Sequence, residues 1–220
     1  MSKTKRIPTI ALAFLLTACF PLSSKHPLGL RTFDAQLVGV WQDEEVEMKF
    51  TRSGRNKLTL KFSTLDEDVV SEPRSLYYSV LPSRIGGKRF ISVKQFFPPE
   101  FLEDYASVND ISITETRRKF RARDKRMNGY YLGFYATREE DGLDHLELRL
   151  IDEESDIVKA ALETRTLKGG LISVTDEEGE AGEVLYLTSS TRALTKFVAA
   201  HTDQVEDVFG FEIADLVRVE

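Results

Sequence analysis

Few residues in this chain are suited to carry chemistry. Cys19 is the only cysteine among 220 residues, which excludes an internal disulfide and any zinc site built on cysteines. It follows Leu16, Thr17 and Ala18 at the end of an apolar stretch, so its thiol is a candidate for modification. The three histidines, His26, His145 and His201, are far apart in sequence and show no ligand spacing. Acidic runs at 43–45, 66–68, 152–154 and 176–178 could hold calcium or do acid–base work. None has the alternating oxygen ligands and central glycine of a calcium loop, and they read as solvated turns and helix starts. No Gly-x-Ser-x-Gly, His-Glu-x-x-His or Gly-x-x-x-x-Gly-Lys motif occurs. No catalytic residue, metal or cofactor is expected, and the chain is read as a non-enzyme.

One run stands apart. Arg117, Arg118, Lys119, Arg121, Arg123, Lys125 and Arg126 share ten residues with a single acid, Asp124. The local formal charge is +6, against −6 for the whole chain. In an extended conformation, residues 117, 119, 121 and 123 would project from one face. The plainer reading is a solvated loop. The functional reading is an anion contact, with lipid headgroups, lipopolysaccharide phosphates or an acidic protein. The acidic whole excludes nucleic acid as an expected partner.

The elements around these residues begin with the N-terminus. Lys3, Lys5 and Arg6 precede about ten mainly apolar residues and then Leu16-Thr17-Ala18-Cys19. Ten helical residues cover about 15 Å, half of a hydrocarbon core, so an export signal is expected rather than a span. The order resembles the lipobox of Gram-negative bacterial lipoproteins. That resemblance implies a signal peptide at 1–18, with Cys19 acylated as the first mature residue and the acyl chains as the membrane anchor. Phe20 stands where an aspartate would mark inner-membrane retention, which favours the periplasmic face of the outer membrane. Residues 19–34, with Pro21, Ser23, Ser24, Pro27 and Gly29, read as a tether, and 35–220 as a single domain.

Composition suits that domain, at 41% hydrophobic and 30% charged. Residues 46–50 and 58–62 alternate apolar with polar side chains around a turn at 52–56, a hairpin signal. Similar pairs are expected at 75–81 with 88–96, 130–137 with 143–151, and 171–175 with 183–188. Helices are expected at 98–105, 153–166 and 190–200, with a closing strand at 214–219. Gly39-Val40-Trp41 at the first strand resembles the Gly-x-Trp signature of lipocalins. It implies an eight-stranded antiparallel barrel with a late helix before its last strand. It also implies a late arginine, Arg218 or Arg192, over the tryptophan at the barrel base. The expected fold is therefore mainly β, a lipocalin-like barrel or strongly curved sheet with one or two short inserted helices. The function this implies is binding of a small apolar or amphipathic ligand. The alternative is a packed barrel that docks or helps assemble envelope proteins, with a hydrolase well behind.

Overall fold

A computed structural model describes residues 22–65, 75–126, 129–175 and 181–219. Cys19, Leu16, Thr17 and Ala18 lie outside the described residues, as do the acidic runs at 66–68 and 176–178.

The alternating segments form the strands. After a two-residue strand β1 (Ser23–Ser24) come β2 (Gly39–Gln42), β3 (Val46–Gly54), β4 (Lys57–Thr64), β5 (Ser75–Ile85) and β6 (Lys88–Phe96). Two helices follow, α1 (Pro99–Val108) and α2 (Ile113–Arg126), then β7 (Tyr130–Glu140) and β8 (Leu143–Leu150). The chain continues through α3 (Asp156–Glu163), β9 (Gly169–Thr175), β10 (Ala181–Leu187), α4 (Thr191–Ala200), α5 (Val205–Val208) and β11 (Phe211–Arg218). Strands β2 to β8 pair antiparallel in sequence order, with β6 on β7, and β11 joins β8 to β2. Eight strands thus close on themselves, which removes the free edges an open sheet would have to protect. The barrel is closed, antiparallel and lipocalin-like in architecture.

Period-two alternation fills the interior. Met48 and Phe50 of β3, Leu58 and Leu60 of β4, Val80, Ile91, Leu146, Leu148 and Leu216 meet there around Trp41. A second core lies outside the barrel wall. Phe90, Leu132 and Phe134, on the opposite face of β6 and β7, are covered by Val158, Leu194, Phe197 and Val198 of the later helices and by Phe209 just after α5. These two strands are therefore buried on both faces, whereas β3 ends in exposed residues.

Two expectations are corrected. Residues 22–34 are not a tether. Ser23 and Ser24 pair with Tyr131 and Tyr130 of β7 and run parallel to β10. Leu22 and Leu28 are fully buried, and the Leu28 N–H donates to Ser92 Oγ at 2.8 Å. Burying two leucines contributes about 3–6 kcal/mol, far more than a flexible linker could forgo. The second correction is the basic run, which is neither a loop nor a strand but the body of α2. Its helical turn replaces the alternate-face arrangement: Thr116 and Phe120, four residues apart, are buried, while Arg117, Arg118, Lys119 and Arg121 are exposed. Arg123, Lys125 and Arg126 continue the same helix.

Candidate functional site

The strand ends define two rims. At one, the hairpin turns β3–β4, β5–β6 and β7–β8 gather with the start of β2 and the end of β11. At the other lie the ends of β4 and β6, the starts of β5 and β7, and the pair α1–α2.

The first rim is sealed. Gly39 holds φ at 141°, a conformation that side chains resist, and this turns the chain into β2. Trp41, two residues on, is 1% exposed and donates its indole N–H to the Leu37 carbonyl at 3.0 Å. Arg218 pairs with Trp41 across β11 and β2 and places its guanidinium 5.2 Å from the ring centroid. The same guanidinium donates to the Val38 carbonyl at 2.5 Å and reaches Asp144 at 3.4 Å. Beside them, the buried Tyr135 hydroxyl donates to Asp34 Oδ2 at 2.8 Å, and Arg89 approaches the same oxygen at 3.5 Å. Burial, then the hydrogen bond to Asp34, pushes the Tyr135 hydroxyl far above the usual phenol range. A neutral tyrosine, a carboxylate and an arginine here are a fully engaged plug, not a cleft.

The second rim is different in kind. Pro98 and Pro99 preset the first turn of α1, and Glu100 complements its N-terminus. Phe97, Phe101 and Tyr105 recur every four residues and make one aromatic stripe. Asp110, in the left-handed region at φ 51°, reverses the chain, and Ser112 Oγ accepts the Glu115 N–H at 3.2 Å to start α2. Phe120 then inserts into the stripe, with ring centroids 4.6 Å from Phe97, 5.1 Å from Phe101 and 4.9 Å from Tyr105. The last two contacts are edge-to-face. This cluster rests on Leu76, with Phe62, Tyr77 and Tyr78 packed against it; Phe62 and Tyr78 also touch the barrel core. Carboxylates of Glu100 and Asp104 add to burial in raising the Tyr77 hydroxyl pKa.

Between the helices lies a groove of about 520 Å³, lined by Tyr105, Asn109, Ile111, Glu115, Arg118 and Lys119. Lys119 Nζ donates to the Tyr105 hydroxyl at 2.5 Å and lies 4.9 Å from that ring's centroid. Arg118 is 84% exposed and only loosely paired with Glu115, at 3.9 Å. Arg118 and Lys119 line this groove, and Arg117 and Arg121 are exposed on the same helix. The aromatic cluster beneath the groove escaped the sequence reading, although the four-residue spacing of Phe97, Phe101 and Tyr105 carried the signal.

The remaining candidates do not converge on either rim. His145 approaches Asp215 at 3.6 Å on the outer wall, beside Arg138 and Glu147. His201 Nδ1 lies 2.8 Å from the Phe197 carbonyl at the end of α4. His26 is half-buried near Ser24. The carboxylates of Asp43 and Asp152 accept backbone N–H groups in their own turns. Among the described residues, no three histidine or acidic side chains are placed to hold a metal ion. No protein family, curated protein or solved structure matches the chain.

Proposed function

We propose that this chain is an acyl-anchored envelope lipoprotein whose barrel is a non-catalytic binding module for an amphipathic anion. The observation that carries the reading is the groove beside α2, where Tyr105, Ile111, Arg118 and Lys119 line one cavity. An apolar chain gains from the walls at about 25 cal/mol per Å² buried, and an anionic head from the cations. Anchoring through Cys19 on the periplasmic face of the outer membrane is the lipobox reading, and a place among lipocalins rests on Gly39, Trp41 and Arg218. Native mass spectrometry of protein taken from membranes tests the binding. An adduct of amphiphile mass is expected, and the Arg118→Gln, Lys119→Gln variant should lose it. A wild-type protein free of adducts and unmoved by added single-chain anionic lipid refutes the reading.

A second reading, an envelope interaction or assembly factor, is favoured by the filled barrel. Trp41, Phe50, Leu58, Leu146 and Leu216 are each at most 1% exposed, so the interior is built as a core. A co-purifying protein retained by the same groove variant would support it over the first.

A further inference from the structure

The topology brings two features to one rim that are distant in the chain. Strand β1 pairs with the start of β7, Ser24 opposite Tyr130, and α2 ends at Arg126, four residues before that same tyrosine. The approach is close: a Cβ added at Gly129 would stand 3.2 Å from the Ser23 Cβ. Cys19 precedes Ser23 by four residues, at most about 14 Å of extended chain, and Ser23 stands beside Gly129, three residues past the end of α2, so the attachment point is tied to the rim at which the cationic helix ends. The hairpin turns of the sealed rim are a strand length away. Strand β6 alone spans nine residues, about 30 Å before tilt.

We propose that the barrel stands with its helical rim against the anionic phospholipid leaflet that anchors it, held by the acylated Cys19 and by the exposed face of α2. This rests on the anchor reading above and adds an orientation and a source of ligand. Arg117, Arg118 and Arg121 are exposed there, and Val108, 48% exposed, stands at the end of α1. Each cation near an anionic surface strengthens binding roughly fivefold, within a screening length of about 8 Å at physiological salt. An acyl chain alone leaves the domain free to rotate, and the cationic face removes that freedom. The chain outside residues 117–126 is acidic as a whole, so a leaflet attracts this helix against a net repulsion of the remainder. The groove between α1 and α2 then opens toward the bilayer, and its amphiphile is drawn from lipid rather than from solution.

Protein purified from membranes is spin-labelled at Ser107→Cys on α1 or at Arg55→Cys in the β3–β4 turn. Each form is mixed with vesicles of phosphatidylcholine alone or with one-third phosphatidylglycerol. On anionic vesicles the label at 107 should lie at the headgroup level and the label at 55 in water. Molar salt, or Arg117→Gln, Arg118→Gln and Arg121→Gln together, should return the 107 label to water while leaving the protein bound. Equal accessibility of the two labels on anionic vesicles overturns the orientation and leaves the cationic face to an acidic protein. Retention on neutral vesicles reads the anchor separately. Protein that elutes from neutral vesicles yet buries the 107 label on anionic ones contradicts the acyl anchor and upholds the orientation.

Discussion

The two rims of this barrel solve opposite problems with similar materials. Both combine aromatic rings with arginine. At the sealed rim the polar groups around the tryptophan have partners within the domain: Trp41 with Leu37, Arg218 with Val38 and Asp144, Tyr135 with Asp34. At the helical rim the rings pack on each other while Arg117, Arg118 and Arg121 are exposed, Arg118 at 84%. Burial and mutual satisfaction make the first a structural closure. Exposed cations beside a mixed polar and apolar groove make the second a surface built for something else.

Truncating the anchor of each rim should separate them most. Trp41→Ala removes a ring that is 1% exposed at the heart of the barrel, and should cost about 3–5 kcal/mol of global stability in denaturant unfolding. Phe120→Ala should cost about 2 kcal/mol globally, because the helical pair reaches the barrel chiefly through Leu76, Phe62 and Tyr78 and can open as a unit. Amide exchange in α1 and α2 should accelerate while β2 and β11 stay protected. Equal losses in both variants would show that the rims are one cooperative block.

Charge sharpens the comparison next. Tyr135→Phe deletes a donor to a carboxylate and should cost about 1.5 kcal/mol near neutral pH. The raised folded-state pKa of this phenol has a definite sign. Stability from holding its proton is complete below the unfolded value near 10 and is lost as pH rises above it. Wild-type stability should fall by about 1.4 kcal/mol per pH unit from this group alone once the unfolded phenol ionises. The phenylalanine variant should show a shallower alkaline decline. The smallest effect is expected at Ser83, whose buried hydroxyl has no hydrogen-bond partner among the described residues. Ser83→Ala should change stability by less than about 0.5 kcal/mol or raise it slightly, since no bond is broken.

The sealed rim was far more legible in the sequence than the helical one. Alternation at 46–50 and 58–62 specifies which side chains face inward, and Asp141-Gly142 specifies a tight turn, with both residues at positive φ. Gly39 and Trp41 are two residues apart, so their roles belong to one strand. Helix α2 was not legible because its hydropathy is overwhelmed by cations, and only Thr116 and Phe120 mark its buried face. That face acquires meaning from Phe97, Phe101 and Tyr105, which lie on another helix. Residues 22–34 misled for the same reason. Their serines, glycine and proline have a linker's composition, while the bond from Leu28 to Ser92 spans 64 residues. Local pattern carries local structure, and both misreadings arose where a distant partner decides the conformation.

The central claim, that the helical rim binds an amphipathic anion, is tested most directly by amide hydrogen exchange. The full protein would be compared with and without a single-chain anionic phospholipid below its micelle concentration. Slower exchange confined to α1, α2 and residues 109–112 is expected, reversed by Arg118→Gln with Lys119→Gln. Protection at the β3–β4 and β5–β6 turns instead, or no protection at saturating lipid, would contradict the account.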